Sequence, residues 1–322
     1  MKTRVCADPE ECKRLWAEIW PVSCFFDLWE VRSSFAAGFA RPTSFLVAEE
    51  GNKIQGLLAL SWIEESDCYG IFPGETWQGK TWLEQNRIPV RSVRALEALL
   101  ANIPGPARLR YLTEEAAGLA GSPVTVDETG YLFRPGEYGF SFSDYMLEFS
   151  GKSRKKLAQD SAKLEKHGVS FRYGEFADIQ RMFRMNLEAF GRWSYFWEPR
   201  FLNSFERLVE WLDGQGFLRI TTLLLGGEVA AIDIGAVWNN TYTVLAGGTS
   251  SEFVGVAKMI NFHHLRWACE EKLALVDFLC GDFGWKERFH LQGRPLYKLQ
   301  LQPDCHAAQP IEGALKHASG QF

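Results

Sequence analysis

From Phe217 to Lys298 the chain reads as strand, Gly-Gly turn, strand, strand, a loop rich in small residues, helix, strand, an aromatic and basic loop, and a last strand. Phe217 to Leu225 is the first strand, and Gly226-Gly227 signals a two-residue hairpin. Val229 to Val237 returns, followed by Thr241 to Ala246. A polar loop, Gly247 to Phe253, opens through Val254-Gly255-Val256-Ala257 onto a helix ending near Lys272. Apolar Leu273 to Leu279 then reads as a buried strand. A strand that feeds through a glycine turn into a helix N-terminus is a common phosphate cradle, because backbone N–H groups converge there.

The rest of the chain bounds what surrounds this segment. With 322 residues it accommodates two domains of ordinary size. Apolar residues make up 46%, with 24 Phe and 12 Trp, so a large core is available. The net charge of -5, from 35 basic and 40 acidic residues, argues against a dedicated nucleic-acid binder, which needs a concentrated basic surface. No apolar run approaches the roughly 20 residues of a membrane span, and no apolar leader core follows Met1-Lys2-Thr3-Arg4. Seven scattered Cys fit a reduced protein better than a disulfide framework. The expectation is a cytoplasmic protein with no membrane span.

In the N-terminal half, Asp8-Pro9 reads as a helix start. Thr43 to Ala48 and Ile54 to Ile63 read as strands around a Gly51-Asn52 turn. Next come a long loop from Phe72 to Pro89, a helix (Val90 to Ala101), a strand (Ala107 to Leu112) and a short helix from Thr113. Phe45 to Trp62 and Thr222 to Trp238 share one element order, which suggests duplication without a residue-level repeat. The boundary is expected after Gly130 to Gly139, giving modules 1–140 and 141–322. Tyr145 to Phe149 is expected as the first strand of the second module. A Lys/Arg-rich helix from Ser153 to His167 follows, either a solvated face or a contact for an anionic partner.

The order strand–strand–loop–helix–strand resembles the core of the GNAT acyltransferases, which hold acyl-coenzyme A at the glycine turn. Their pyrophosphate loop commonly runs Gln/Arg-x-x-Gly-x-Gly/Ala. Gly255-x-Ala257 matches its end, while Glu252 stands where Gln or Arg is usual, and an acid there repels pyrophosphate. Asp277-Phe278-Leu279-Cys280-Gly281, then Trp285-Lys286 and Arg288-Phe289, resembles a signature of the FemAB-like and CelD-like acyltransferases. The resemblance implies an α+β fold, a tandem duplication of GNAT-like modules, each a mixed, mostly antiparallel sheet flanked by helices.

It also implies a function: transfer of an acyl group, acetyl foremost, from acyl-CoA to an amine of a polar cell-envelope or polysaccharide precursor. Leu245, Gly247, Val254, Gly255, Val256, Ala257 and Lys258 would hold the cofactor. Trp193, Trp285 and Arg288 would bind the acceptor, a small molecule or a glycan or peptide precursor. Asp282, or Asp233, would be the general base, with Lys286 assisting. Each has a plainer reading. Asp282 caps a turn, Lys286–Glu287 is a surface pair, Asp233 faces solvent or an arginine, and the aromatic run at Trp193 is core. Two other functions stay open: a binding protein that kept the fold and lost catalysis, and an aminoacyl-tRNA-dependent FemAB-type transferase. No His-Glu-x-x-His, Cys-x-x-Cys or P-loop occurs, so no metal is expected.

Overall fold

The first helix starts where Asp8 accepts the Glu11 N–H at 2.8 Å, with Pro9 in its first turn. The computed structural model describes residues 1–77, 79, 81–119 (residue 119 by its backbone), 124–281 and 284–301. In chain order the elements are β1 (Lys2–Cys6), α1 (Pro9–Ile19), α2 (Trp29–Phe39), β2 (Thr43–Glu50), β3 (Lys53–Ile63), β4 (Cys68–Ile71), α3 (Val93–Ala101), β5 (Ala107–Leu112), α4 (Glu114–Leu119) and β6 (Val124–Phe133). There follow α5 (Phe142–Tyr145), α6 (Gly151–Glu165), β7 (Val169–Tyr173), α7 (Asp178–Phe190), α8 (Pro199–Gly214), β8 (Leu218–Leu225), β9 (Glu228–Trp238) and β10 (Thr241–Thr249). The last are α9 (Val256–Glu270), β11 (Leu275–Asp277), α10 (Trp285–Arg288) and β12 (Gln292–Leu301).

These elements form two compact units. The first holds Met1–Thr129, Glu198–Leu208 and residues 295–301; the second holds Gly130–Trp197 and Val209–Arg294. In the first unit the strands run β1-β2-β3-β4-β5-β12. Neighbours are antiparallel except β4 and β5, which pair in parallel at Tyr69 and Ala107. In the second they run β7-β8-β9-β10-β11-β6, again antiparallel except for one pair, β10 and β11. Strand order and the place of the parallel pair are the same in both. The fold is thus α+β, with two GNAT-like modules in tandem. β2–β3 and β8–β9, where the sequence shows its echo, take the second and third places in each unit.

Each core follows from the strand alternation. In unit 1, Phe45, Val47, Leu57 and Ala59 pack on one sheet face with Leu15 and Trp16 of α1, while Leu46, Leu58 and Leu60 pack on the other with Leu96 and Leu99 of α3. In unit 2, Val256 and Ile260 of α9 meet Leu223, Ala231 and Leu164, and farther along α9 Leu265 and Ala268 meet Tyr242 and Val276.

Tyr145 to Phe149 is not a strand. It is the end of α5 and a 3₁₀ turn, started where Ser141 Oγ accepts the Asp144 N–H. The Tyr145 ring sinks between Phe133 and Phe149, and its hydroxyl donates to Phe289 O at 2.6 Å. A short, mostly apolar run of five residues fits either form, and tertiary packing decided. The strand lining this edge of the unit 2 sheet is instead the end of β6, through Leu132 and Phe133. The basic helix α6 is single, with no second helix of a hairpin beside it in sequence. Among the described residues no helix is long and apolar enough to cross a membrane.

Candidate active site

β10 and β11 are paired only briefly. Thr241, Tyr242 and Thr243 face Leu275, Val276 and Asp277, and beyond Thr243 the two diverge. β10 continues along β9 to Thr249 with a bulge between Val244 and Ala246, at Leu245. The other chain turns to β6, where Phe278 N–H donates to Tyr131 O at 2.9 Å and Tyr131 N–H to Leu279 O at 3.2 Å. Among the described residues the divergence leaves a wedge with one edge of β10 unpaired from Val244 onward. An extended amide chain fits such an edge, because unpaired backbone donors and acceptors form ladder hydrogen bonds. Leu245 itself is buried, and Gly247 is half-buried.

The strand extends three residues past the expected Ala246 because α7 clamps its end. Asn186 Nδ2 donates to Gly247 O at 2.7 Å, Ser194 Oγ donates to Asn186 Oδ1 at 2.7 Å, and Phe196 N–H donates to Ser194 Oγ at 3.0 Å. Gly248, facing the other way, lets α7 approach: a Cβ there would lie 2.8 Å from Met182 O. The sequence reading passed over Asn186 and Ser194. The only signal for them is a polar residue inside the apolar face of α7.

Past the wedge, Gly255 caps α9 with φ +92° and no side-chain hydrogen bond. The conformation suits glycine, and it leaves first-turn N–H groups of a 15-residue helix unclaimed by any side chain. Val256 anchors the turn in the core at 2% exposure, while Val254 stands out at 86%. Ala257 is half-buried beside them, and Glu252 is exposed on the loop. Lys258, one turn in, lies 3.6 Å from Asp160 of α6, a loose pair.

A cavity of about 410 Å³ joins three stretches that were singled out separately. It is lined by Lys156 of the basic helix, Lys258 and Asn261 of α9, and Trp285, Arg288 and His290 from the aromatic-basic segment. Phe149, Phe262 and Phe289 form its apolar wall. Its charged side chains are all cationic, so it favours an anionic group backed by a flat apolar surface. Trp193 is not among its lining residues; it sits in a 3₁₀ turn under the Arg192 guanidinium, 4.9 Å from the ring centroid.

Lys286 differs from the expected catalytic role. It is 3% exposed, and its ammonium donates to Phe278 O, Leu279 O and Cys280 O at 2.9, 2.8 and 2.8 Å. With three donors on three carbonyls, it fastens the strand end after β11 rather than reaching a substrate. Asp282, the first of the two expected bases, lies outside the described residues.

Asp233, read as a lone carboxylate in an apolar strand, has a partner. Its Oδ2 is 2.9 Å from Nε2 of His264 on α9. His264 is fully buried, while the Asp233 side chain keeps 9% exposure. The neighbouring Oδ1 lies against Gly247, the facing residue on β10, where a Cβ would come within 2.2 Å. His263 and His264 are adjacent on α9, where neighbouring residues do not share a face. The two point apart: His263 stacks on Phe171 at 3.8 Å and bonds Tyr173 Oη at 3.0 Å. Burial, helped by His264, Arg219 and Arg266, pushes the His263 imidazole down to about 3. Among the described residues no cluster of His, Cys, Asp and Glu is arranged to hold a metal.

Residues 151–287 match the family described as acetyltransferase (GNAT) domain. Comparison with curated proteins gives no match. Among solved structures, the chain is similar to a conserved protein of unknown function from Bacteroides thetaiotaomicron, with 14% identity over 94% of this chain and 100% of that one, TM-score 0.58. It is similar to FemX, 10% identical over 94% and 98%, TM-score 0.58. A tandem GNAT protein from the clavulanic acid biosynthesis pathway is 10% identical over 94% and 99%, TM-score 0.50. The fold is GNAT-like, of the FemAB type, and its C-terminal unit carries an acyltransferase-type domain.

Proposed function

We propose that the second unit moves an acyl group, acetyl foremost, from acyl-CoA to an amine of a polar cell-envelope or polysaccharide precursor, within the cytoplasm. The observation that carries this reading is the wedge at the end of β10, flanked by the uncapped α9 N-terminus and by a carboxylate at Gly247. The coenzyme's pantetheine would lie along the unpaired edge from Val244. Its pyrophosphate would meet the Ala257 N–H and the Lys258 ammonium, the Val256 N–H being held by Phe253 O at 3.3 Å. A backbone N–H between Leu245 and Thr249 would polarise the thioester carbonyl. An amine arrives as ammonium and must lose a proton before attack, and Asp233 Oδ1 is the candidate base. Trp285 and Arg288 would hold the acceptor, with Lys156 adding to the cationic end of the cavity.

Glu252 on the loop favours a second reading, a binding protein without turnover, because an acid beside the pyrophosphate weakens the coenzyme's hold. A thermal melt with acetyl-CoA separates the two. The proposal expects a higher Tm with saturating acetyl-CoA, and release of CoA thiol when amine acceptors are added. Asp233→Asn is expected to lower turnover by about 10²-fold while acetyl-CoA still raises Tm. An unchanged Tm sinks the transferase reading.

A further inference from the structure

Asp233 lies in a slot cleared by two glycines. Gly247 faces it on β10. Two residues along β9, Gly235 makes room for the Tyr242 ring, whose Cε2 would lie 2.3 Å from a Cβ there. Thr221 of β8 is Asp233's other cross-strand neighbour, and Arg219 faces Gly235. α9 brings His264 onto this slot, its ring 5.1 Å from that of Tyr242, and brings Trp267 over the Arg219 guanidinium at 3.5 Å. The charged and titratable groups around the imidazole are therefore Asp233 on β9, Arg219 on β8, Tyr242 on β10 and His263 on its own helix.

Most of these polar atoms lack partners. Tyr242 Oη, Thr221 Oγ1 and His264 Nδ1 are buried with no hydrogen-bond partner among the described residues. A proton on Nδ1 would be buried without an acceptor, which is costly. Donation of Nε2–H to Asp233 Oδ2 is the arrangement that leaves no buried ring proton without an acceptor. Among the described residues that one bond leaves the carboxylate with a single free oxygen, Oδ1, on the Gly247 side.

We propose that His264 is a positioning residue. It holds Asp233 by Oδ2 so that Oδ1 points to the wedge and takes the acceptor's proton. This rests on the reading of Asp233 as base. In the step, the ammonium gives one proton to Oδ1, its lone pair forms the N–C bond, and the thioester π pair moves to oxygen. When that pair returns the C–S bond breaks, and the thiolate takes a proton from the amide-forming nitrogen, which keeps one hydrogen. The proton on Asp233 passes to water. A carboxylate free to rotate would present either oxygen to solvent and lose this geometry.

The test uses His264→Leu, which removes the donor, and His264→Gln, whose amide N–H restores one. With acetyl-CoA and an amine acceptor, His264→Leu is expected to lower kcat by about 10²-fold with the acetyl-CoA KM within about threefold of wild type. His264→Gln should keep kcat within about tenfold, and adding His264→Leu to Asp233→Asn should cost nothing more. Full kcat in His264→Leu, or equal losses in both variants, overturns the proposal. Independently of turnover, imidazole ¹⁵N NMR of the wild-type protein at pH 7 should give the Nε2–H tautomer for His264. An Nδ1–H tautomer overturns the proposal even if both variants unfold. Should Asp233→Asn turn over like wild type, the base assignment fails first and His264 falls with it, whatever the tautomer.

Discussion

The two units share one strand order and differ in what lies beside the parallel pair. Among the described residues of unit 2 the edge of β10 is bare beyond Thr243, and α9 begins at a glycine without a side-chain cap. In unit 1 the chain fills the corresponding gap itself. Beyond the four residues of β4, Asn86 pairs with Leu112 of β5, with its N–H on Tyr111 O at 2.8 Å and its O accepting from Thr113 at 2.9 Å. Pro89 O accepts the Leu57 N–H of β3 at 2.9 Å. The helix that follows, α3, is capped by its own Ser92, whose Oγ accepts the Ala95 N–H. A duplicated fold thus yields one wedge and one plug, because a backbone edge serves a ligand only where the protein has not already paired it.

The largest expected effects test the two buried cations. Lys286 holds three carbonyls in unit 2. Arg32, 1% exposed in unit 1, donates to Phe26 O, Phe72 O and Glu84 O at 2.7, 2.8 and 3.5 Å. Lys286→Met and Arg32→Met should each cost on the order of 3 kcal/mol in denaturant unfolding. Only Lys286→Met is expected to weaken acetyl-CoA binding, since it frees the far wall of the wedge. Equal loss of affinity in Arg32→Met would break the division of labour between the units.

Next is the glycine turn. Gly255→Trp fills the approach to α9 and adds strain at φ +92°. Acetyl-CoA affinity should fall at least about tenfold, roughly 1.4 kcal/mol. A folded variant binding as tightly as wild type would remove this turn from the cofactor site.

A smaller effect is set by pH and belongs to unit 2 alone. The folded His263 imidazole is held down near 3, against about 6.5 when unfolded. The unfolded state then binds a proton that the folded state refuses, so stability is complete above pH 6.5 and falls as the pH drops towards 3. Between pH 7 and 5 the loss should be about 1 kcal/mol after allowing for partial exposure. In His263→Phe, melts over this range should decline less steeply, and an unchanged slope would assign the loss to other groups.

The smallest change sharpens the comparison from the plugged side. Ser92→Ala removes the α3 cap and should cost about 0.5–1 kcal/mol of stability, with acetyl-CoA affinity unchanged. A drop in affinity would mean that the first unit's helix start also serves the coenzyme.

Much of this architecture was legible in local pattern. Gly226-Gly227, the alternation from Val229 and the small residues before Val256 specify a hairpin and a strand-turn-helix from neighbours alone. The echo between Phe45–Trp62 and Thr222–Trp238 foretold two equal sheets. β6 stayed hidden because Val124-Thr-Val-Asp-Glu-Thr has no continuous apolar face and its place in the sheet is a long-range pairing. The short β11 was read too long, since nothing in Leu273 to Leu279 says where its partner departs.

The candidate site divides the same way. Gly255, Lys258, Trp285 and Arg288 stand out by residue type and spacing, and a sequence supplies both. That Lys156 joins three of them at one cavity depends on α6 packing beside α9, a contact across about a hundred residues of chain. Lys286 reads as a catalytic or a surface charge and is a buried clamp, because the carbonyls it holds converge only after β11 turns away. Asp233 and His264, 31 residues apart, meet because a strand and a helix stack over two glycines. Sequence sets propensity and period, which are local. Which charge is paired, buried or left facing the wedge is decided by desolvation and distance, and those exist only once the chain has folded.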